Sequence, residues 1–333
     1  MDAGKYHIFR SETDERYLVP RADDPAYIPV LKSLIEETGA DLVSIHQSAE
    51  LLPVSMARDG LGARVLLPDH RSIEICDNKY LSYSAWHAAG LPVPRTVLIQ
   101  SEADLRRAFT ELGDNLWLRS IVGSGGRDAL PVEDYDTALR WIAGKSGWGS
   151  FTAAVRLSTR SFAWESIWCD GELLVAQGRW RLLWEYGTRS PSGVTGITGA
   201  GKTGSTAELD AISEQAILAI DSKPHGIFSV DITLGFDGQP NLTEINCGRF
   251  FTTHQFFTEL GLNMPYIFVK TAFGERPAEF SRDVNIAPAE MVWIRGMDTE
   301  PVLTTTTAVQ SVEDELERRK IRFGITSPGI APR

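Results

Sequence analysis

The sequence predicts a mixed chain, α/β at its start and α+β beyond, and three observations predict it. Helical periodicity bounded by capping residues alternates with short apolar runs through residue 143. Residues 151–184 then read almost entirely as strand. Finally, 228–234 (FSVDITL) and 241–246 (NLTEIN) both alternate apolar and polar residues around Asp237-Gly238, the pattern of a half-buried hairpin.

Taken in order, residues 6–9 read as a strand and 24–38 (DPAYIPVLKSLIEET) as a helix, with Pro25 near its start and Gly39 just past its end. A strand at 41–45 (DLVSI), a helix from about Glu50 and a strand at 63–66 follow. Residues 77–89 (DNKYLSYSAWHAA) form a helix closed by Gly90, and LPVPRTVLI is an extended, proline-punctuated entrance to the next unit. A helix begins at Ser101, a strand covers 116–119 (LWLR), the loop IVGSGGRDA comes next, and a helix spans 134–143. Asp170-Gly171 marks a hairpin within 151–184. The Gly/Ser/Thr-rich stretch 188–205 reads as a mobile loop, and a helix over 207–220 leads into the 228–246 hairpin. An aromatic run (RFFTTHQFF), a helix over 265–273 and a final helix (SVEDELERRK) complete the chain, with no internal repeat.

At 333 residues the chain is long enough for two or three compact units, and 43% hydrophobic with 23% charged residues is the composition of folded protein. Net charge is 33 − 44 = −11 without a Lys/Arg cluster, so nothing calls for nucleic acid or an anionic membrane surface as partner. Cys76, Cys169 and Cys247 lack metal-ligand spacing, and an odd count argues against a disulfide framework. With a polar N-terminus and no apolar run of about 18 residues, the cytoplasm is the default location.

The hairpin carries the chemistry. If Asp237 and Gly238 are the two turn residues, counting outward sets Asp231 opposite Glu244. Phe228, Val230, Ile232, Leu234 and Ile245 then share the core face, while Ser229, Asp231, Thr233, Glu244 and Asn246 share the other. Opposed carboxylates repel unless something positive lies between them. Asp231, Glu244 and the Asn246 amide oxygen suit Mg²⁺, and Arg249 flanks them. The plain alternative is a solvated face with scattered acids.

Gly123, Ser124, Gly125 and Gly126 follow a strand ending in Arg119, where bare backbone amides and a cation suit phosphate. The loop is neither a GxGxxG turn nor a P-loop, and GAGKT at 199–203 has the wrong spacing for one. Lys79, read alone, is a surface lysine. Glu165, among Phe162, Trp164 and Trp168, calls for a partner, either an arginine such as Arg119 or an outer contact to magnesium. Trp164, Trp168, Trp180 and Trp184 read as core or sheet surface, and Cys247 and His254 as packing.

In this order, the Lys79 helix, LPVPRTV, LWLRSIVGSGG, the Glu165 strand, a glycine-rich stretch and VDITLGFDGQPNLTEINCGRF resemble the ATP-grasp superfamily. The ATP-grasp domains of the carbamoyl phosphate synthetase large subunit and the carboxylate-amine ligases are the most similar in pattern. The resemblance implies a shortened Rossmann-like α/β domain over 1–76, two α+β lobes over 77–150 and 151–275 that clasp ATP, and a C-terminal extension over 276–333. It further implies that Lys79, Arg119, Gly123, Ser124, Gly125, Gly126 and Glu165 serve the nucleotide, that Asp231, Glu244 and Asn246 hold Mg²⁺ or Mn²⁺, and that Arg249 and Arg119 act in catalysis. The activity implied is an ATP-dependent ligase that converts a small carboxylic acid to an acylphosphate and joins it to an amine. Phosphoryl transfer to a carboxylate or carbamate, and a silent ATP-binding protein, are the alternatives; a homodimer is compatible with all three. A nicotinamide oxidoreductase lacks its dinucleotide fingerprint.

The chain departs from the family pattern in four places. Asn246-Cys247-Gly248-Arg249 is one residue longer than the usual Asn-Pro-Arg, and Arg156 or Ser158 falls where an adenine-hinge acid is expected. Ser229 stands where the peptide-ligase branch carries an arginine, and the first strand and glycine turn of the leading domain have no match.

Overall fold

The computed structural model describes residues 1–275, 282–296 and 305–323. Two compact units emerge among the described residues, Met1–Val65 with 305–323, and Leu66–Gly296.

In the first unit, α1 (Tyr27–Thr38), β1 (Leu42–Val43), α2 (Ser48–Ala57) and β2 (Arg64–Val65) make a βαβ arrangement, with Leu42 and Val43 pairing in parallel with Arg64 and Val65. Val30, Leu31, Leu34 and Ile35 line one buried stripe of α1, and Gly39 ends the helix in the left-handed conformation with its N–H on the Ile35 carbonyl. Residues 6–9 are not a strand. A 3₁₀ turn forms at His7–Arg10, because Ile8 alone is buried and its N–H closes on the Gly4 carbonyl; one apolar side chain cannot set a period-two pattern.

The second unit opens with α3 (His70–Asp77), capped by Asp69, and α4 (Lys79–Ala88), where the Asn78 side chain accepts from the Tyr80 and Leu81 amides. Then come β3 (Thr96–Ile99), α5 (Glu102–Leu112), β4 (Leu116–Ser120), β5 (Leu130–Val132), α6 (Tyr135–Gly144) and β6 (Phe151–Val155), with Ser101 and Asp134 as N-caps. The strands form an antiparallel sheet in the order β3-β6-β4-β5. Leu105 and Ala108 of α5 and Ala138 and Ile142 of α6 close over Ile99, Leu116, Leu118 and Phe151. Each large apolar side chain so buried contributes about 1.5–3 kcal/mol, enough to hold β4 and the loop after it on a rigid platform.

The larger sheet takes β7 (Ser161–Cys169), β8 (Glu172–Trp184) and β9 (Thr198–Thr203), and then, after α7 (Ala207–Leu218), β10 (Gly226–Leu234) and β11 (Pro240–Cys247). Helices α8 (His254–Glu259) and α9 (Met264–Ala272) precede β12 (Asp283–Val284) and β13 (Val292–Ile294). The strand order is β11-β10-β7-β8-β9-β13, with β12 parallel to β8. Asp170 (φ 52°) and Gly171 (φ 92°) form the predicted two-residue turn between β7 and β8. The end of the 188–205 stretch, read as mobile loop, is instead β9. Its glycines serve close approach: a Cβ on Gly199 would sit 2.6 Å from Glu185 Oε2, and Gly201 faces Arg181 across the ladder. The last helix, α10 (Thr306–Arg322), belongs to the first unit, where Arg319 grips Glu37 through two hydrogen bonds of 2.6 and 2.9 Å. No helix among the described residues is long and apolar enough to cross a membrane.

Candidate active site

Asp231 does stand opposite Glu244, by a route different from the one the turn residues suggest. Leu234 pairs with Pro240, so the connection has five residues, 235–239, closed by the Gly235 N–H on the Gln239 carbonyl at 2.8 Å. That shifts the ladder by one at the turn. A β-bulge between the Ile232–Leu242 and Asp231–Glu244 pairs shifts it back, leaving Thr243 as the extra residue with its hydroxyl on the Asp231 carbonyl at 3.0 Å. Two compensating irregularities thus give the register of the simple hairpin. Phe228, Val230, Ile232, Leu234 and Ile245 are buried on one face, while the other bears Ser229, Asp231, Thr233, Glu244 and Asn246.

Neighbouring strands extend this polar face in two rows. One runs Asn246–Ser229–Glu165–Gln177 across β11, β10, β7 and β8; the next runs Glu244–Asp231–Ala163–Arg179. Each carboxylate of the second row has a cation beside it. Lys79 Nζ lies 3.5 Å from Glu244 Oε1 and Arg181 Nη2 3.1 Å from Asp231 Oδ1, while Arg249 donates to the Asn246 side-chain oxygen at 3.3 Å. Glu244 and Asp231 remain 30% and 24% exposed. Hard oxygen donors on one face, opposed and reachable, fit a Mg²⁺-sized cation.

Lys79 is no surface lysine. Its side chain is 11% exposed and Nζ donates to the Gly123 carbonyl at 2.6 Å, so one residue ties α4, the glycine loop and the hairpin together. Burial lowers the pKa of the Arg119 guanidinium, and Glu244 opposes that shift. Lys79, Arg119, Glu244 and the 123–126 loop line a common cavity of about 90 Å³. Gly123, Gly125 and Gly126 have φ of 121°, 71° and 64°, a backbone that side chains disfavour. A Cβ on Gly126 would also meet the Val194 carbonyl at 2.3 Å.

Glu165 is 0% exposed and lies away from Arg119, the partner the sequence suggested. Its Oε1 accepts from the Phe251 N–H at 2.6 Å and the Ser229 hydroxyl at 3.3 Å, and its charged neighbours are Arg179 and Arg249. Burial pushes its carboxyl up to about 8 against these contacts. Arg179, absent from the sequence reading, is 2% exposed, lies under the Phe251 ring at 4.5 Å, and is pulled down to about 9 by burial and by Arg181. The signal for Arg179 and Arg181 was legible in GRWRLLW, where both alternate with Trp180 onto the polar face.

Arg156 pairs with Asn115 and Glu133, and Ser158 bonds the Leu234 carbonyl, so neither supplies a hinge acid. Cys76 and Cys247 meet in the interior, where their contact and burial push the Cys76 thiol up. His254 instead bonds the Phe251 carbonyl and stacks on Phe250, which leaves it a packing residue.

Two antiparallel sheet lobes with a glycine loop and a carboxylate hairpin match the ATP-grasp fold, and this chain has it. No family model matches the sequence. The biotin carboxylase domain of Hydrogenobacter thermophilus 2-oxoglutarate carboxylase, solved with MgADP, ADP and bicarbonate, is similar over 80% of this chain and 61% of its own, at 16% identity and TM-score 0.64. Campylobacter jejuni biotin carboxylase is similar over 79% and 62%, at 16% identity and TM-score 0.63. The L-amino acid ligase of Bacillus licheniformis is similar over 77% and 62%, at 18% identity and TM-score 0.60. The chain spans about three fifths of the length of these structures.

Proposed function

We propose that this chain is an ATP-dependent ligase that activates a small carboxylic acid as an acylphosphate and joins it to an amine, releasing ADP and phosphate. One observation carries the reading: the Asp231–Glu244 pair, Lys79 and the 123–126 loop converge, with Glu244, Lys79 and the loop lining one cavity. In this reading Lys79 and Arg119 hold phosphate oxygens, and the amides of Gly123, Ser124, Gly125 and Gly126 close over them. Asp231, Glu244 and Asn246 hold Mg²⁺, or Mn²⁺ in its place, which when bound neutralises charge on the transferring phosphoryl group. Cations already fixed before reaction cost no reorganisation, so Lys79 and Arg119 favour the charge-separated state directly. Glu165 anchors the segment bearing Arg249, the residue that faces oxyanion charge on the activated acid. The similar structures include ligases and synthases by name, among them L-amino acid ligase and D-alanine-D-alanine ligase. One similar domain is a dimer, which makes a homodimer part of the reading.

Calorimetric titration with ATP, with and without Mg²⁺, tests the site in the intact chain and in Glu244→Ala. Binding that needs both the metal and Glu244 is expected, followed by ADP release that depends on an acid and an amine together. Binding indifferent to Glu244 would sink the proposal, and ADP release on an acid alone would convert it to phosphoryl transfer.

A further inference from the structure

The reaction just proposed leaves Arg179 unused, although a fully buried guanidinium is among the most costly groups a protein can carry. Guanidinium has five N–H donors. One Nη2 donor of Arg179 reaches the Thr198 hydroxyl at 3.3 Å, whereas Nε and Nη1 have no hydrogen-bond partner among the described residues. Across the ladder, Glu165 Oε2 is likewise buried without a partner. Two ionisable groups in adjacent rows therefore lie close enough to influence each other and yet form no direct pair.

We propose that Arg179 is the carboxylate-recognition residue of this site, binding the acid substrate on the side of Asp231 opposite the phosphate-binding residues. This rests on the ligase reading above. The order of charges along one row supports the placement. Lys79 and Arg119 gather at the Glu244 end, Asp231 comes next, and Arg179 stands two strands further on. The acid then lies across the sheet from the phosphate-binding residues, with the opposed carboxylates between them. Charge balance points the same way: the groups acting on Arg179 are Arg181 and Arg295 on one side and Asp231 and Glu165 on the other, and burial keeps Glu165 protonated at neutral pH. An excess of positive charge remains, which an anion relieves.

The cover over Arg179 is Phe251. Its ring lies 4.5 Å from the guanidinium carbon, its N–H bonds Glu165, and the next residue's carbonyl accepts from Arg295. This segment directly follows the metal strand and carries Arg249. Displacing one aromatic ring exposes the Nε and Nη1 donors to a carboxylate, which makes charge-assisted hydrogen bonds in place of the weaker contact with the ring.

The test follows thermal unfolding of the full chain with MgADP and, separately, with acetate, malonate, succinate, alanine or glutamate added. In the natural chain at least one of these carboxylates raises Tm by roughly 2–4 °C beyond MgADP. Arg179→Met abolishes that increment and Arg179→Lys, which keeps charge without the planar fork, reduces it, while the shift due to MgADP stays the same in all three. If no carboxylate shifts the natural chain, or if all three proteins shift equally, Arg179 does not recognise the acid. If instead Arg179→Lys loses the MgADP shift, the guanidinium serves a nucleotide phosphate. An absent MgADP shift in the natural chain overturns the ligase reading itself.

Discussion

Two acidic groups on the same polar sheet face live under opposite conditions. Glu244 is 30% exposed and has Lys79 at 3.5 Å; Glu165, on the next row and two strands away, is 0% exposed with one oxygen unpartnered and its carboxyl pushed up to about 8. The first arrangement suits exchange of a lysine contact for a metal at little cost, because a partly exposed ion pair contributes only about 0–1 kcal/mol. The second holds the Phe251 N–H and the Ser229 hydroxyl on one buried carboxyl. The same residue type in adjacent rows is therefore left reachable at one position and enclosed at the other by burial alone.

Replacing each acid in turn is the sharpest way to break that comparison. On the proposed reading, Glu244→Ala should lower turnover by on the order of 10²–10³ while shifting the unfolding midpoint little, as steady-state rates and denaturant titration would read. Glu165→Ala strips the acceptor from the Phe251 N–H and the Ser229 hydroxyl. It should cost about 2 kcal/mol of stability; a loss under about 0.5 kcal/mol would mean that Glu165 is not an anchor.

Acidity sharpens the contrast further. Glu165 keeps its proton to about pH 8 when folded but only to about 4.5 when unfolded. Its contribution is therefore whole below pH 4.5 and declines as pH rises toward 8, because the unfolded chain ionises first. The slope is at most about 1.4 kcal/mol per pH unit. Glu165→Gln should flatten the denaturant midpoint across that window, and an unchanged slope would assign the titration elsewhere.

Smaller effects probe the supports of the Glu244 row. Gly126→Ala places a methyl against the Val194 carbonyl at φ 64°. It should cost about 1–3 kcal/mol and weaken nucleotide binding measured by calorimetry, with Gly113→Ala, where open space surrounds the site, as the comparison for backbone strain alone. Thr243→Val deletes the bond that pins the bulge and should cost about 1 kcal/mol. Loss of magnesium-dependent binding in that variant would show that the bulge, and not strand pairing at large, holds Glu244 in register.

Much of this was legible before the fold was known. Caps at Ser101 and Asp134 and the period-two faces of β10 and β11 are local features, decided by residues within a few positions of one another. Even so, the Asp231–Glu244 pairing was reached through a two-residue turn that does not exist, rescued by a bulge at Thr243 that nothing in NLTEIN announces. Helix α3 and strand β9 also escaped: one is an amphipathic stretch of only eight residues, and the other is glycine-rich because neighbouring chain crowds it.

Sequence by itself determined the alternating faces, the helix ends, the glycine loop and the charged residues of the polar hairpin face, because each depends on short-range periodicity or backbone freedom. Tertiary structure alone decided which charges meet. Lys79 reaches Gly123 and Glu244 across gaps of 44 and 165 positions, and Glu165 has Arg179 and Arg249 as charged neighbours while Arg119 has Glu244. Such pairings follow from strand order and from how much water each side chain loses, and neither quantity is written in the spacing of residues along the chain.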